Sequence, residues 1–353
     1  MDYFTVPHEN TAAALVAWYR ENARELPWRK DVTPYRVWVS EIMLQQTRVE
    51  AVKPYYHRFL ATFPDVFSLA CADDELLHKM WEGLGYYNRV RNMKKCAQRV
   101  VAEFDGQFPK EPAVLQTLPG IGSYTAGAVA AIAYGVPAPA VDGNVLRVLA
   151  RLTDCNADIS QTAVRKDAEK TIMQIIPRDA VSAFTQSLFE LGAMICLPGS
   201  DAKCDRCPVA AYCLAKKNTT SALLPVHSAK PERKKEQKTV FLLREDGMYL
   251  LHKRPDKGLL AGLWEFPNVN GHIDEAQAIV QARKWGFDPL RVQSLPTAVH
   301  IFTHKEWHMQ AFLMDGNFTA ALNGVKADVR EMKEVYALPS AFAAYRSIAC
   351  GED

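Results

Sequence analysis

Between residues 9 and 195 the apolar positions recur at intervals of three and four. The segments 11–23, 35–47, 49–63, 88–104, 143–153 and 180–195 each carry the spacing of one buried helical face. Pro27, Pro34, Pro64 and the pair Gly83/Gly85 separate several of them, because proline stops a helix and glycine permits a tight turn. After residue 217 the texture changes. Residues 218–238 are polar and basic with little apolar periodicity, the composition of a linker. From 239 onward the pattern alternates: 239–244, 248–254, 297–304 and 307–314 read as strands, with a helix over 274–285. No internal repeat is visible. The pattern predicts a mainly α domain over 1–217, a linker over 218–238 and a smaller α+β domain over 239–353.

Composition narrows the class. The chain has 353 residues, 48% hydrophobic and 23% charged, enough to bury a core without staples. A net charge of +2 gives no global attraction to a polyanion, so a nucleic-acid partner would need a local basic face. Arg89, Arg91, Lys94, Lys95 and Arg99 could supply one, although such a run is ordinarily a solvated helix face. No apolar run reaches the ~18–20 residues of a membrane helix, so no membrane association is expected. Asp2, His8 and Glu9 stand where a secretion signal needs apolar residues. The expected location is cytoplasmic and reducing. There eight cysteines favour metal binding over disulfides.

Three groups of residues carry chemistry. Cys196, Cys204, Cys207 and Cys213 follow the spacing C-x7-C-x2-C-x5-C, and four thiolates on one short loop can surround zinc or an iron–sulfur cluster. Cys71, Cys96, Cys155 and Cys350 are scattered and read as ordinary thiols. Leu118-Pro119-Gly120-Ile121-Gly122-Ser123 opens a helix rich in small residues; its glycines allow a tight turn, and the helix N-terminus favours an anion such as a DNA phosphate. Asp142 precedes a helix beginning near Gly143, where the everyday role of Asp is an N-cap.

Taken together, these residues resemble the helix–hairpin–helix superfamily of base-excision DNA glycosylases over 9–215. The carrying strings are LPGIG, VDGNVLRV and the cysteine loop after GAMIC. That loop is similar to the [4Fe–4S] loop of endonuclease III and MutY proteins, with seven residues in the first gap where the family has six. Two features favour MutY. Tyr124 stands where endonuclease III has a lysine, and the segment Ser40–Thr47 (SEIMLQQT) is similar to the MutY segment that carries a catalytic glutamate. Read alone, Glu41 is a helix acid, partly buried by its neighbours Ile42, Met43 and Leu44.

The resemblance implies an adenine DNA glycosylase. The target base is flipped from the duplex at a cost of a few kcal/mol. Glu41 protonates adenine, Asp142 stays ionised beside the cationic sugar, and Tyr124 and Asn144 position the two acids. Gln46 and Tyr86 wedge into the base stack, and Gly120 and Gly122 belong to the DNA-binding hairpin. Residues 239–353 resemble a Nudix-like domain through LLHKRPDKGLLAGLWEFPNV and HIFTH. The glutamate-rich box of a working Nudix hydrolase is missing, since the helix reads DEAQAIVQARKWGF, so recognition without hydrolysis is implied. Phe302, Thr303 and His304 stand at a motif that reads 8-oxoguanine, with threonine for the family's serine; Thr47 is a second candidate contact. The implied partner is duplex DNA with A:8-oxoguanine or A:G mispairs, bound by a monomer, with a [4Fe–4S] cofactor. The rival readings are an endonuclease III-like lyase, opposed by Tyr124, and a non-catalytic DNA-binding sensor, which would need neither acid.

Overall fold

Each of the six windows with helical spacing forms a helix in the computed structural model: Asn10–Asn22, Pro34–Leu44, Val49–Thr62, Asn88–Phe104, Gly143–Leu152 and Val181–Met194. Residues 2–228, 232–319 and 324–352 are described. The chain divides into two compact units, Met1–Cys71 with Arg91–Ala229, and Ala72–Val90 with Lys230–Asp353.

In the first unit, Asn10–Asn22, Gly143–Leu152 and Val181–Met194 pack around Leu15, Leu149, Phe184 and Leu191, all essentially buried. Burial of each such side chain contributes about 1.5–3 kcal/mol. The helix Pro34–Leu44 begins on Thr33, whose hydroxyl accepts from the Arg36 amide at 3.2 Å. It stops three residues before the periodicity does. Gln46 takes a left-handed conformation, φ 60°, and the Thr47 amide turns back to the Leu44 carbonyl at 3.3 Å. Residues 218–228, linker-like in composition, are tied to this unit. Asn218 Nδ2 donates to Asp154 at 2.7 Å, Arg151 Nε to the Leu224 carbonyl at 3.1 Å, and the Ile159 amide to the Val226 carbonyl at 3.1 Å. Residues 229–231 lie outside the described residues.

The second unit is built on a seven-stranded mixed sheet: β1 (Lys234–Glu245), β2 (Met248–Lys253), β3 (Trp264–Glu265), β4 (Asn268–Asn270), β5 (Phe287–Ile301), β6 (Lys305–Phe318) and β7 (Val325–Ala327). Its order is β3-β2-β1-β6-β5, with β4 on β1 and β7 on β2. β1 and β6 run parallel from Lys234↔Lys305 to Arg244↔Asp315. β1 starts earlier than the alternation suggested, because its first residues are polar on both faces. Val240 and Leu242 face one core with Trp307, Phe342 and Tyr345; Phe241 and Leu243 face another with Phe287, Phe312 and Met314. The helix Glu275–Lys284 closes the second core through Ala278 and Ala282.

The segment Ala72–Val90 joins this unit through polar side chains. Glu75, on the helix Asp74–Trp81, accepts from Lys253 Nζ at 2.5 Å and Trp264 Nε1 at 2.8 Å. Lys79 Nζ reaches the carbonyls of Met332 and Tyr336, each at 3.2 Å. Glu82 meets Lys79 at 2.7 Å, Arg346 at 2.7 Å and the Leu338 amide at 3.1 Å. Apolar periodicity gave no sign of these links. Among the described residues no single helix is long and apolar enough to cross a membrane.

Candidate active site

The helices Pro34–Leu44 and Ser123–Tyr134 pack together, and this sets Glu41 against Tyr124. Glu41 is 5% exposed, and the Tyr124 hydroxyl donates a short hydrogen bond to its Oε2. Burial pushes the Glu41 pKa up to about 7; the Tyr124 bond and Arg29 oppose that rise, and Asp142 adds to it. Burial also raises the Tyr124 pKa, as does the Glu41 charge, so the phenol keeps its proton to donate.

Asp142 caps the helix Gly143–Leu152. Its Oδ1 accepts from the Val145 amide at 2.7 Å and its Oδ2 from Asn144 Nδ2 at 3.0 Å. The everyday cap is therefore present, and it also aims the carboxylate. Burial raises its pKa, while the Val145 and Asn144 hydrogen bonds and Arg147 favour the charged form. Asn144 is fixed in turn by Arg147, which donates to its Oδ1 at 3.0 Å and to the Gly192 carbonyl at 2.8 Å. A Cβ on Gly192 would lie 2.7 Å from the Asn144 Cβ, so glycine is what admits this asparagine.

Glu41, Tyr124, Asp142 and Asn144 line one cleft of about 1070 Å³. Gln46 and Thr47 line it too, and Gln46 is exposed in its left-handed conformation. The sequence reading missed other residues of this wall: Trp28, Arg29, Gln186 and Glu190. Arg29 donates to Gln186 Oε1 at 2.8 Å and to Glu190 Oε1 at 3.0 Å, and Arg24 binds Glu190 at 2.6 Å. Burial pushes the Glu190 pKa up, but the two arginines outweigh it and hold it below the ordinary value. A signal was available: Gln186 and Glu190 are the two longest polar side chains in the window 180–195 and stand four apart, so they share a face.

The hairpin lies in the same unit. Gly120 has φ 76°, and a Cβ there would meet Asn92 at 2.8 Å, so both backbone and packing demand glycine. Gly122 is the N-cap of the helix Ser123–Tyr134 with open space around it, leaving that N-terminus approachable. Two of the proposed phosphate contacts are engaged elsewhere. Arg99 is held by Glu103 at 2.7 Å and by the Thr117 carbonyl at 2.7 Å. Arg89 donates to the Leu84 and Gly85 carbonyls at 2.8 and 3.2 Å.

Cys196, Cys204, Cys207 and Cys213 line a common cavity of about 30 Å³ with Val148, Leu152 and Val209. Among the described residues no three His, Cys, Asp or Glu side chains are placed to share a single ion. The donor set is nonetheless all-thiol. Arg151 Nη1 lies 3.4 Å from Cys196 Sγ and also holds the Leu197 and Gly199 carbonyls at 2.6 and 3.0 Å. The seven-residue gap closes through the Lys203 amide on the Ile195 carbonyl at 2.9 Å.

In the second unit, Phe302–His304 form a turn, where the alternation had suggested a strand to 304. The Phe302 amide donates to the Lys305 carbonyl at 2.8 Å, which closes a tight turn between β5 and β6. Phe302 packs against Trp307 with ring centres 4.9 Å apart, while Thr303 and His304 are exposed at the tip. Tyr86 belongs to the same unit and has a left-handed φ of 48°.

Known proteins match in the same two parts. Residues 39–174 match the HhH-GPD superfamily of base excision DNA repair proteins, and residues 239–346 match the NUDIX domain. The adenine DNA glycosylase of Mus musculus is 35% identical over 84% of this chain and 69% of its own length. That of Buchnera aphidicola subsp. Schizaphis graminum is 30% identical over 86% of this chain and 87% of its own. A solved thermostable thymine-DNA glycosylase superposes with a TM-score of 0.53 at 25% identity, over 59% of this chain and 95% of that one. With a carboxyl poised to titrate near neutrality in the matched helical unit and relatives spanned at this length, the chain belongs to the MutY-type adenine DNA glycosylases of base excision repair.

Proposed function

We propose that this enzyme hydrolyses the N-glycosidic bond of adenine mispaired with 8-oxoguanine, and also with guanine, without cutting the strand. The observation that carries the reading is Glu41, titrating near 7 and hydrogen-bonded to Tyr124, in a cleft shared with Asp142. Adenine leaves only when protonated, and a buried carboxyl with such a pKa holds a proton to give at N7. The sugar then becomes cationic, and Asp142, kept ionisable by Val145 and Asn144, faces that charge. Arg29, Gln186 and Glu190 form a hydrogen-bonded polar wall of the same cleft. No lysine lines the cleft among the described residues, in keeping with hydrolysis rather than imine chemistry.

The left-handed backbone at Gln46 and Tyr86 is uncommon for such residues and supports their role as wedges. Gly120 and Gly122 would face the phosphate backbone, and Thr47 and the Phe302–His304 turn would face the lesion. Incubation with an A:8-oxoguanine duplex tests the whole reading. Strand breaks should arise only after alkali, and Asp142→Asn should abolish them while binding stays within a few-fold. Breaks without alkali would mean a lyase, and an active Asp142→Asn would remove the proposed role of the carboxylate.

Cys196, Cys204, Cys207 and Cys213 fit a [4Fe–4S] cluster by donor chemistry: four thiols in one cavity with a guanidinium alongside. When bound, the cluster supplies a four-point tie for the loop. Elemental analysis should find iron and acid-labile sulfide; one zinc per chain and no iron would overturn the assignment.

A further inference from the structure

Four arginines stand on the wall of the cleft that holds Glu41 and Asp142: Arg24, Arg29, Arg48 and Arg165. Arg24 and Arg29 are spent on Glu190, at 2.6 and 3.0 Å. Arg48 is exposed. Arg165 differs from all three. It is half-buried, and its Nη1 donates a hydrogen bond of 2.8 Å to the carbonyl of Val141, the residue before Asp142. Among the described residues it makes no ion pair. It is also the fourth residue of the helix Thr162–Ile175, whose first turn contains no acidic residue. The positive end of a helix disfavours a cation and favours an anion, so this position calls for an anionic partner.

We propose that Arg165 is a phosphate clamp for the flipped nucleotide, gripping one of the two phosphates that flank the sugar beside Asp142. This rests on the reading above that Asp142 faces that sugar. A guanidinium carries five N–H donors in a planar fork that matches the oxygens of a phosphate. One donor holds Val141, and the rest of the fork is left for a partner in the cleft. Phosphate is the anion that a duplex brings there, and each sugar of the strand carries one on either side. Asp142 already has Arg147 as its own cationic support, so the charge of Arg165 is not needed for the carboxylate. The Val141 bond gives the clamp its use. It ties the cation to the backbone that carries Asp142, so the grip on the strand and the carboxylate beside the sugar are set by one short segment. Alignment of that kind is what lowers the barrier once the base has left the stack.

The test measures binding of the full chain to an A:8-oxoguanine duplex with a 2′-fluorine on the target sugar, which opposes the cationic sugar and keeps the base in place. The phosphate on each side of that nucleotide is replaced in turn by an uncharged methylphosphonate. Wild type should lose about tenfold in affinity from one of the two replacements, the scale of a hydrogen bond to a charged group. Arg165→Gln should lose about tenfold on the unmodified duplex and nothing further on that replacement. Its slope of log affinity against log salt should shrink by about one. Arg165→Lys keeps the charge and should stay sensitive to the replacement. The preference for 8-oxoguanine over guanine should be unchanged in Arg165→Gln, because a phosphate contact carries no base information. An Arg165→Gln that binds weakly yet still loses as much as wild type to the replacement would overturn the inference and reduce Arg165 to a prop for Val141. A wild type indifferent to both replacements would overturn it too, with no variant needed. An active Asp142→Asn would instead overturn the reading beneath it, a failure told apart because the phosphate replacements do not involve that variant.

Discussion

With its pKa near 7, Glu41 is protonated in about half of the molecules at neutral pH, and the protonated half is the half able to donate. Excision should therefore fall about tenfold per pH unit above 8, measured as single-turnover rates from pH 6 to 9. Stability follows the same group. Its folded pKa lies above the ordinary value of 4.5, so its contribution is fully present below 4.5 and is lost as pH rises to about 7. Glu41→Gln cannot be ionised. It should be inactive, yet more stable than wild type at pH 8 by on the order of 3 kcal/mol, and by much less at pH 5. Equal urea midpoints for the two proteins at pH 8 would show that the buried carboxylate carries no such penalty. The sequence exposed the identities of Glu41, Tyr124, Asp142 and Asn144, because each stands in a short string with a recognisable neighbourhood. It did not expose Arg29 and Glu190, whose contact depends on two helices meeting.

Among the elements, the helix Asp74–Trp81 is held differently from the rest. Its neighbours in chain order lie in the first unit, but Glu75, Lys79 and the following Glu82 are spent on the second. Periodicity reports which face of a helix is apolar and says nothing about which distant surface a salt bridge will choose. Elements with long apolar windows were therefore legible, and this attachment was not. Glu82 is the node, since Lys79 is 9% exposed in its side chain and depends on it. Glu82→Ala leaves a buried ammonium with two carbonyls and no counter-charge. It should destabilise the second unit by about 3 kcal/mol, read from chemical denaturation of the full chain. A change under about 0.5 kcal/mol would place this cluster with ordinary surface pairs.

At the scale of the whole molecule, the division into units predicts a division of labour. A chain ending at residue 228 keeps both carboxylates, the hairpin, the cysteine loop and the strap that reaches Val226. It should still excise adenine, and it should lose most of its preference for 8-oxoguanine over guanine because the turn bearing Thr303 is gone. It should also melt lower, since Glu75, Lys79 and Glu82 lose their partners. Undiminished preference in that fragment would move lesion reading to the first unit, with Thr47 the residue to examine.

The second unit also imposes an order on synthesis. Its first piece, Ala72–Val90, is synthesised before residues 91–229, whereas Arg346, the partner of Glu82, comes close to the end. At about 5–20 residues per second, that piece waits for more than ten seconds without the surface it will join. Lys79 and Glu82 give the waiting segment charge, which suits it to that interval, because a solvated ion pair is a poor seed for aggregation. The late-made sheet must then find a helix already tethered to the first unit, so completing the second unit joins old chain to new.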